Sequence, residues 1–156
     1  MWDAVAAERR RLADELESLT DEQWQMQSQC DAWTVRQAAA HLITPWEVSN
    51  GTLFKAMLKN RFSFDKAMVE VTNDLAERLT TDEIIQKLRD NAEDRWTPPM
   101  PGAGVEVVLS EIVVHGQDIR NAVGLPCSTP DETIEMALSG IKKESMAADY
   151  RRRIGG

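Results

Sequence analysis

Ser110-Glu-Ile-Val-Val-His-Gly-Gln-Asp-Ile-Arg120 is the stretch on which the reading of this chain turns. The run from Val105 to Val114 is apolar and β-branched, which suits a strand, but its length and the pattern that follows suit a helix better. On a helix, residues three and four apart share a face. Leu109, Ile112, Gly116, Ile119 and Val123 then form one packing stripe, and Val108, Glu111, His115 and Asp118 form the stripe beside it. A helix at the edge of the core therefore carries an acid, an imidazole and a second acid side by side. Such groups are costly to remove from water unless they are paired or coordinate an ion.

The chain has only two histidines. The other, His41, lies in Gln37-Ala-Ala-Ala-His-Leu-Ile43, again a small apolar helical setting. Pro45, four residues on, cannot donate to the carbonyl of His41, so a kink is expected there. The kink frees a backbone acceptor and can open space beside the imidazole. His41, Glu111 and His115 on two helices match a zinc-type set of three protein ligands with an open fourth position. A Glu–His hydrogen bond or ion pair, with His41 as a satisfied core residue, fits the same spacing, and on spacing alone it is the commoner arrangement.

Helical patterning extends over the rest of the chain. Val5, Arg9, Leu12, Leu16 and Leu19 recur at three- and four-residue intervals. Capping boxes begin at Thr20, Thr34, Thr80 and Thr129, the last with proline at the first helical position. Helices are expected over 2–19, 34–59, 64–95 with a break near Thr80, and 105–123, with a short one around Trp24 and a fifth long one from 130 to about 150. The loop from Trp96 to Gly104 holds three prolines and two glycines and leads straight into the Glu/His helix. Tyr150-Arg-Arg-Arg-Ile-Gly-Gly156 suits a helix C-terminus. The fold class is all-α, one helical domain over 1–156.

Composition narrows the function. Hydrophobic residues make up 42% and charged residues 28% of 156 residues, ordinary values for a globular domain with a sizeable core. A net charge of −8 disfavours nucleic acid and anionic membranes as partners by bulk electrostatics. No apolar run approaches a membrane span, and the amphipathic N-terminus lacks a signal-peptide core. Cys30 and Cys127 do not make a disulfide framework. A cytoplasmic protein acting on small molecules is expected.

Thr34-Val-Arg-Gln-Ala-Ala-Ala-His-Leu42, preceded by Cys30-Asp-Ala-Trp33, resembles the metal-binding domain of mycothiol-dependent maleylpyruvate isomerases when taken together with Ser110–Arg120. That domain belongs to the wider DinB/YfiT-like superfamily, and the resemblance runs from the first helix to about Pro126. It implies a DinB-like four-helix bundle, here with an additional C-terminal helix. It implies a divalent metal, usually zinc, held by His41, Glu111 and His115, and a low-molecular-weight thiol, mycothiol, approaching the metal. Asp118 matches an acidic position after the second histidine, and its expected role is an outer-shell acceptor or local base. An ion held by two neutral imidazoles and one carboxylate keeps a net charge of +1, which lowers the pKa of a thiol or water in the open position. The expected activity is a mycothiol-dependent isomerase or thiol transferase. The alternatives are a non-catalytic metal-binding module and a metal-dependent hydrolase. The isomerases carry a further C-terminal domain that helps to bind substrate, and the sequence ends before one begins, so weak activity on maleylpyruvate is expected.

Other residues have plainer expectations. Gly116 suits a close helix–helix approach, or room for a ligand beside His115. Trp33, Trp46 and Trp96 can wall a pocket or pack in the core. Cys30 is expected to be a small buried hydrophobe. Arg120 points away from Asp118, towards an ion pair with another helix. Arg9 and Arg10 are expected on the solvated face of the first helix.

Overall fold

The computed structural model describes residues 1–99 and 103–141, and side chains as far as Ser139. The end of the fifth helix, the arginine cluster 151–153 and the middle of the Pro/Gly loop lie outside the described residues. The described chain is all-α: α1 Trp2–Glu17, α2 Asp21–Gln25, α3 Val35–His41, α4 Thr44–Glu47, α5 Asn50–Lys59, α6 Phe64–Arg78, α7 Thr81–Asp90, α8 Val105–Val123 and α9 Asp131–Ile141. The β-type pairing among these residues is an isolated bridge between Gln27 and Thr34. The architecture is a DinB-like bundle of four columns: α1, the series α3–α5, the pair α6 and α7, and α8. α8 packs against α1 and α3, α6 against α3 and α5, α7 against α1, and α9 covers α8. Among the described residues no helix is long and apolar enough to cross a membrane.

Three of the four expected capping boxes are formed. Thr20, Thr34 and Thr80 each accept from the backbone three residues on, and Gln23, Gln37 and Glu83 reach back to the capping residue. The fourth is not used as expected. Thr129 donates its hydroxyl to Glu8 and accepts from Arg120, and α9 begins after Pro130.

The single helix expected over 34–59 is three helices. α3 ends at His41, whose carbonyl is satisfied by the Thr44 hydroxyl at 2.8 Å instead of by the missing N–H of Pro45. Val48 is extended, and Ser49 caps the restart at α5. The helix expected to run to 95 stops at Asp90. The cause is Arg9, whose guanidinium collects the carbonyls of Asn91, Ala92 and Asp94 at 2.7–3.2 Å. Arg9 is therefore buried, with its guanidinium over the Trp46 ring, whereas Arg10 is exposed as expected.

A second buried arginine fixes α8 in the bundle. Arg120 is fully buried and donates to Glu8 at 2.8 Å, to Glu15 at 2.8 Å and to Thr129 at 2.9 Å. Gly116 makes room for it: a Cβ at that position would lie 3.2 Å from the guanidinium. The three atoms nearest such a Cβ all belong to this arginine and none to a neighbouring helix, so the space at 116 is shaped by Arg120 instead of by a close helix–helix approach. Glu8 is fully buried too, and it keeps only Arg11 as counter-ion when Arg120 is lost, as Arg120 keeps only Glu15 when Glu8 is lost, so removing either partner leaves a buried charge under-compensated. Arg120→Ala is expected to lower unfolding stability by about 3–5 kcal/mol in urea denaturation, and Glu8→Ala by a similar amount.

Candidate metal centre

The centre is built where α3 meets α8. The capping box at Thr34 starts α3 and sets its register, and His41 is its last residue. Glu111 and His115 are one turn apart on α8, beside the packing stripe of Leu109, Ile112 and Ile119. The two helices bring the three side chains together. Glu111 Oε2 lies 3.2 Å from His41 Nε2 and 3.5 Å from His115 Nε2. Imidazole nitrogens and carboxylate oxygen all fall within 4.8 Å of one another. Among the described His, Cys, Asp and Glu side chains, these three make such a group. Cys30 is buried, as expected, and is not part of it.

Two further residues hold the imidazoles. Asp118 is buried behind His115, with Oδ2 3.3 Å from Nδ1, so the far nitrogen of that ring faces a carboxylate. Trp33 stacks on His41 at 4.4 Å between ring centroids and 25° between planes, and meets His115 edge-on at 5.5 Å. Of the three candidate wall tryptophans, Trp33 is the one in ring contact with the histidines, while Trp46 lies beneath Arg9 and Trp96 is exposed. The loop before α3 sets the indole. The Trp33 carbonyl accepts from Gln27 and from the backbone and hydroxyl of Ser28, and Gln29 N–H donates to the Asp118 carbonyl. These contacts tie an irregular loop to α8, which helical spacing alone does not foretell. The adjacency of Trp33 to the Thr34 cap was the available signal.

The centre is charged at its middle. Burial pushes the Glu111 carboxyl up, but the hydrogen bonds and charges of His115 and His41 outweigh it and hold the carboxyl well below its ordinary range. Burial pushes His115 down, and Asp118 and Glu111 on its two nitrogens reverse this, raising it to about 9. His41 is lowered, chiefly by burial, against the opposing pull of Glu111. The metal-free centre at neutral pH is therefore a carboxylate between a protonated and a neutral imidazole.

The same atoms fit a metal ion. Ligands about 2.0–2.1 Å from a tetrahedral zinc stand roughly 3.3–3.4 Å apart, close to both contacts made by Glu111. Both histidines present Nε2 to the shared carboxylate, and Asp118 is placed as the outer partner that ligating histidines ordinarily have.

A family model for the mycothiol maleylpyruvate isomerase N-terminal domain matches residues 5–120. The chain belongs to that family. The match to the mycothiol maleylpyruvate isomerase N-terminal domain takes in α1 from Val5 and ends at Arg120 in α8, so His41, Glu111, His115 and Asp118 lie inside it and α9 outside. No curated protein and no solved structure matches the chain.

With two histidines in the chain, the metal-free centre can be followed proton by proton. The ring signals are expected to titrate apart, His115 near 9 and His41 below 6.5, in an NMR titration of the metal-free protein. The raised His115 value stabilises the fold fully below its unfolded value of 6.5, and that contribution is lost as pH rises through about 9.

Proposed function

We propose that this chain is a thiol-dependent metalloenzyme in which His41, Glu111 and His115 hold one divalent ion, zinc by the chemistry of the donors, and that the thiol is mycothiol. The observation that carries the reading is the convergence of two Nε2 atoms and a carboxylate oxygen within 4.8 Å from helices 70 residues apart in sequence. Two imidazoles and one carboxylate suit zinc and leave a position for a further ligand. When bound, the ion supplies positive charge that favours the thiolate form of a thiol held beside it.

The chain's own residues do the rest. Asp118 faces Nδ1 of His115 and holds its proton there, which keeps Nε2 free for the ion. Trp33 fixes the plane of His41 by stacking. Glu111 is the most exposed of the three candidate ligands, with about a third of its side chain open, and marks the side from which a small molecule reaches the group. The reaction class is isomerisation or thiol transfer. In the isomerisation, thiol adds to an activated double bond, the resulting single bond rotates, and elimination returns the thiol.

Two experiments test the reading. Protein purified without chelators or a histidine tag is expected to carry one ion per chain. Metal at a hundred times its Kd should stabilise it by about 2.7 kcal/mol, because the ion binds the folded state. His115→Ala should remain helical and lose the thermal shift, whereas an equal shift in that variant would place the ion elsewhere. Calorimetric titration with mycothiol then separates enzyme from passive metal holder. Binding is expected to the metal-loaded chain, and not to the metal-free chain or to Glu111→Ala. Equal binding with and without metal would remove the thiol from the proposal.

A further inference from the structure

The chain has three phenylalanines, Phe54, Phe62 and Phe64, and all are exposed, at 59%, 65% and 48%. Phenylalanine is ordinarily among the most buried residues. These three, with Leu58 at 50%, crowd the hairpin formed by α5 and α6. Phe54 and Leu58 lie one turn apart on the outer face of α5. Its inner face is already packed, with Ala56, Leu53 and Met57 against Ala67, Met68 and Val71 of α6.

The turn between the helices is built rather than loose. Phe62 N–H donates to the Met57 carbonyl at 2.7 Å, and Asn60 and Lys59 both bond Glu70 at 2.7 Å. Arg61 and Phe62 nevertheless have positive φ, 54° and 61°, a conformation that bulky L-residues rarely adopt. The turn thus holds Phe62 in an unfavourable backbone state while its ring stays outside the core.

The charge of this hairpin differs from that of the chain. Over the whole hairpin, Asn50–Arg78, five cations stand against four acids, a net of +1 in a chain of −8. Its tip, from Asn50 to Lys66, carries four cations (Lys55, Lys59, Arg61 and Lys66) against one acid, Asp65, a net of +3, so the basic excess lies at the tip beside the phenylalanines. Lys59 is paired with Glu70, and Lys55, Arg61 and Lys66 lie within two residues of Phe54, Phe62 and Phe64 along the chain.

We infer that the α5–α6 hairpin is a peripheral contact for an anionic lipid surface, with Phe54, Leu58, Phe62 and Phe64 entering the headgroup boundary and Lys55, Arg61 and Lys66 meeting lipid phosphates. Aromatic and aliphatic side chains on one face with basic residues flanking them are what interfacial helices present to membranes. The negative charge of the rest of the chain does not cancel this, because charges beyond about 8 Å are largely screened at physiological salt. A second copy meeting the hairpin through the same patch would set like charge against like charge, so the lipid surface fits better.

The test is co-sedimentation of the full chain with vesicles of phosphatidylglycerol in phosphatidylcholine and of phosphatidylcholine alone, beside sedimentation velocity without lipid. The anionic vesicles should bind the chain, and less so at high salt. Phe54→Ser with Phe62→Ser should weaken binding roughly tenfold or more, because each ring contributes apolar area, with the melting temperature unchanged since both side chains are exposed. Lys55→Glu with Arg61→Glu should remove the preference for anionic lipid. No binding to anionic vesicles, or equal binding by the serine variant, would overturn the inference. A dimer that the serine variant dissociates, in protein that ignores vesicles, would assign the patch to a second copy instead.

Discussion

The burial of Arg120 is the constraint on which the arrangement depends. A guanidinium with no exposure must keep its partners, and those partners come from α1 and from the segment before α9. Satisfying it fixes the rotation of α8 about its own axis. His115 lies five residues earlier, roughly 140° around the helix. Once Arg120 faces α1, Glu111 and His115 must face α3. The charged pair on one side of α8 therefore orients the candidate ligands on the other, although none of them touches it.

Both imidazoles show how a buried polar group is stabilised by what surrounds it. His115 sits between two carboxylates, and His41 between a carboxylate and an indole face. The small residues Ala38, Ala39 and Ala40 before His41 let α3 pack closely enough for its last side chain to meet α8. The break after His41 is part of the same arrangement. Thr44 satisfies the carbonyl that Pro45 cannot, so the helix ends at the histidine without a buried orphan acceptor.

Much of this was legible in the sequence, for physical reasons. The helical stripes of α8, the caps at Thr20, Thr34 and Thr80 and the disruption at Pro45 are local features, and local chemistry specifies them. The gathering of His41 with Glu111 and His115 followed from the resemblance, since spacing within one helix cannot show what a distant helix brings. Residues whose partners are remote in sequence were harder to read. Arg9 sits among charged neighbours on α1, and its carbonyl acceptors lie more than 80 residues away. Thr129 has the sequence of a helix cap, but Glu8 and Arg120 compete for its hydroxyl and win. The hydrogen bonds that seat Trp33 run through an irregular loop and leave no periodic trace.

Gly116 and Arg120 illustrate how one small volume links two positions. The space that a methyl group would take at 116 is partly filled by the guanidinium from one turn later. Alanine at 116 gains about 1 kcal/mol of helix propensity but crowds the arginine, and a shorter residue at 120 removes that crowding. The two sites are therefore epistatic. The free-energy changes of single substitutions should fail to sum in a double-mutant cycle, as neighbours that share space generally do. Sequence drift through this part of α8 is channelled accordingly: a side chain at 116 asks the Arg120 guanidinium to give by a few tenths of an ångström, and the latitude for that is set by how tightly Glu8, Glu15 and Thr129 hold it.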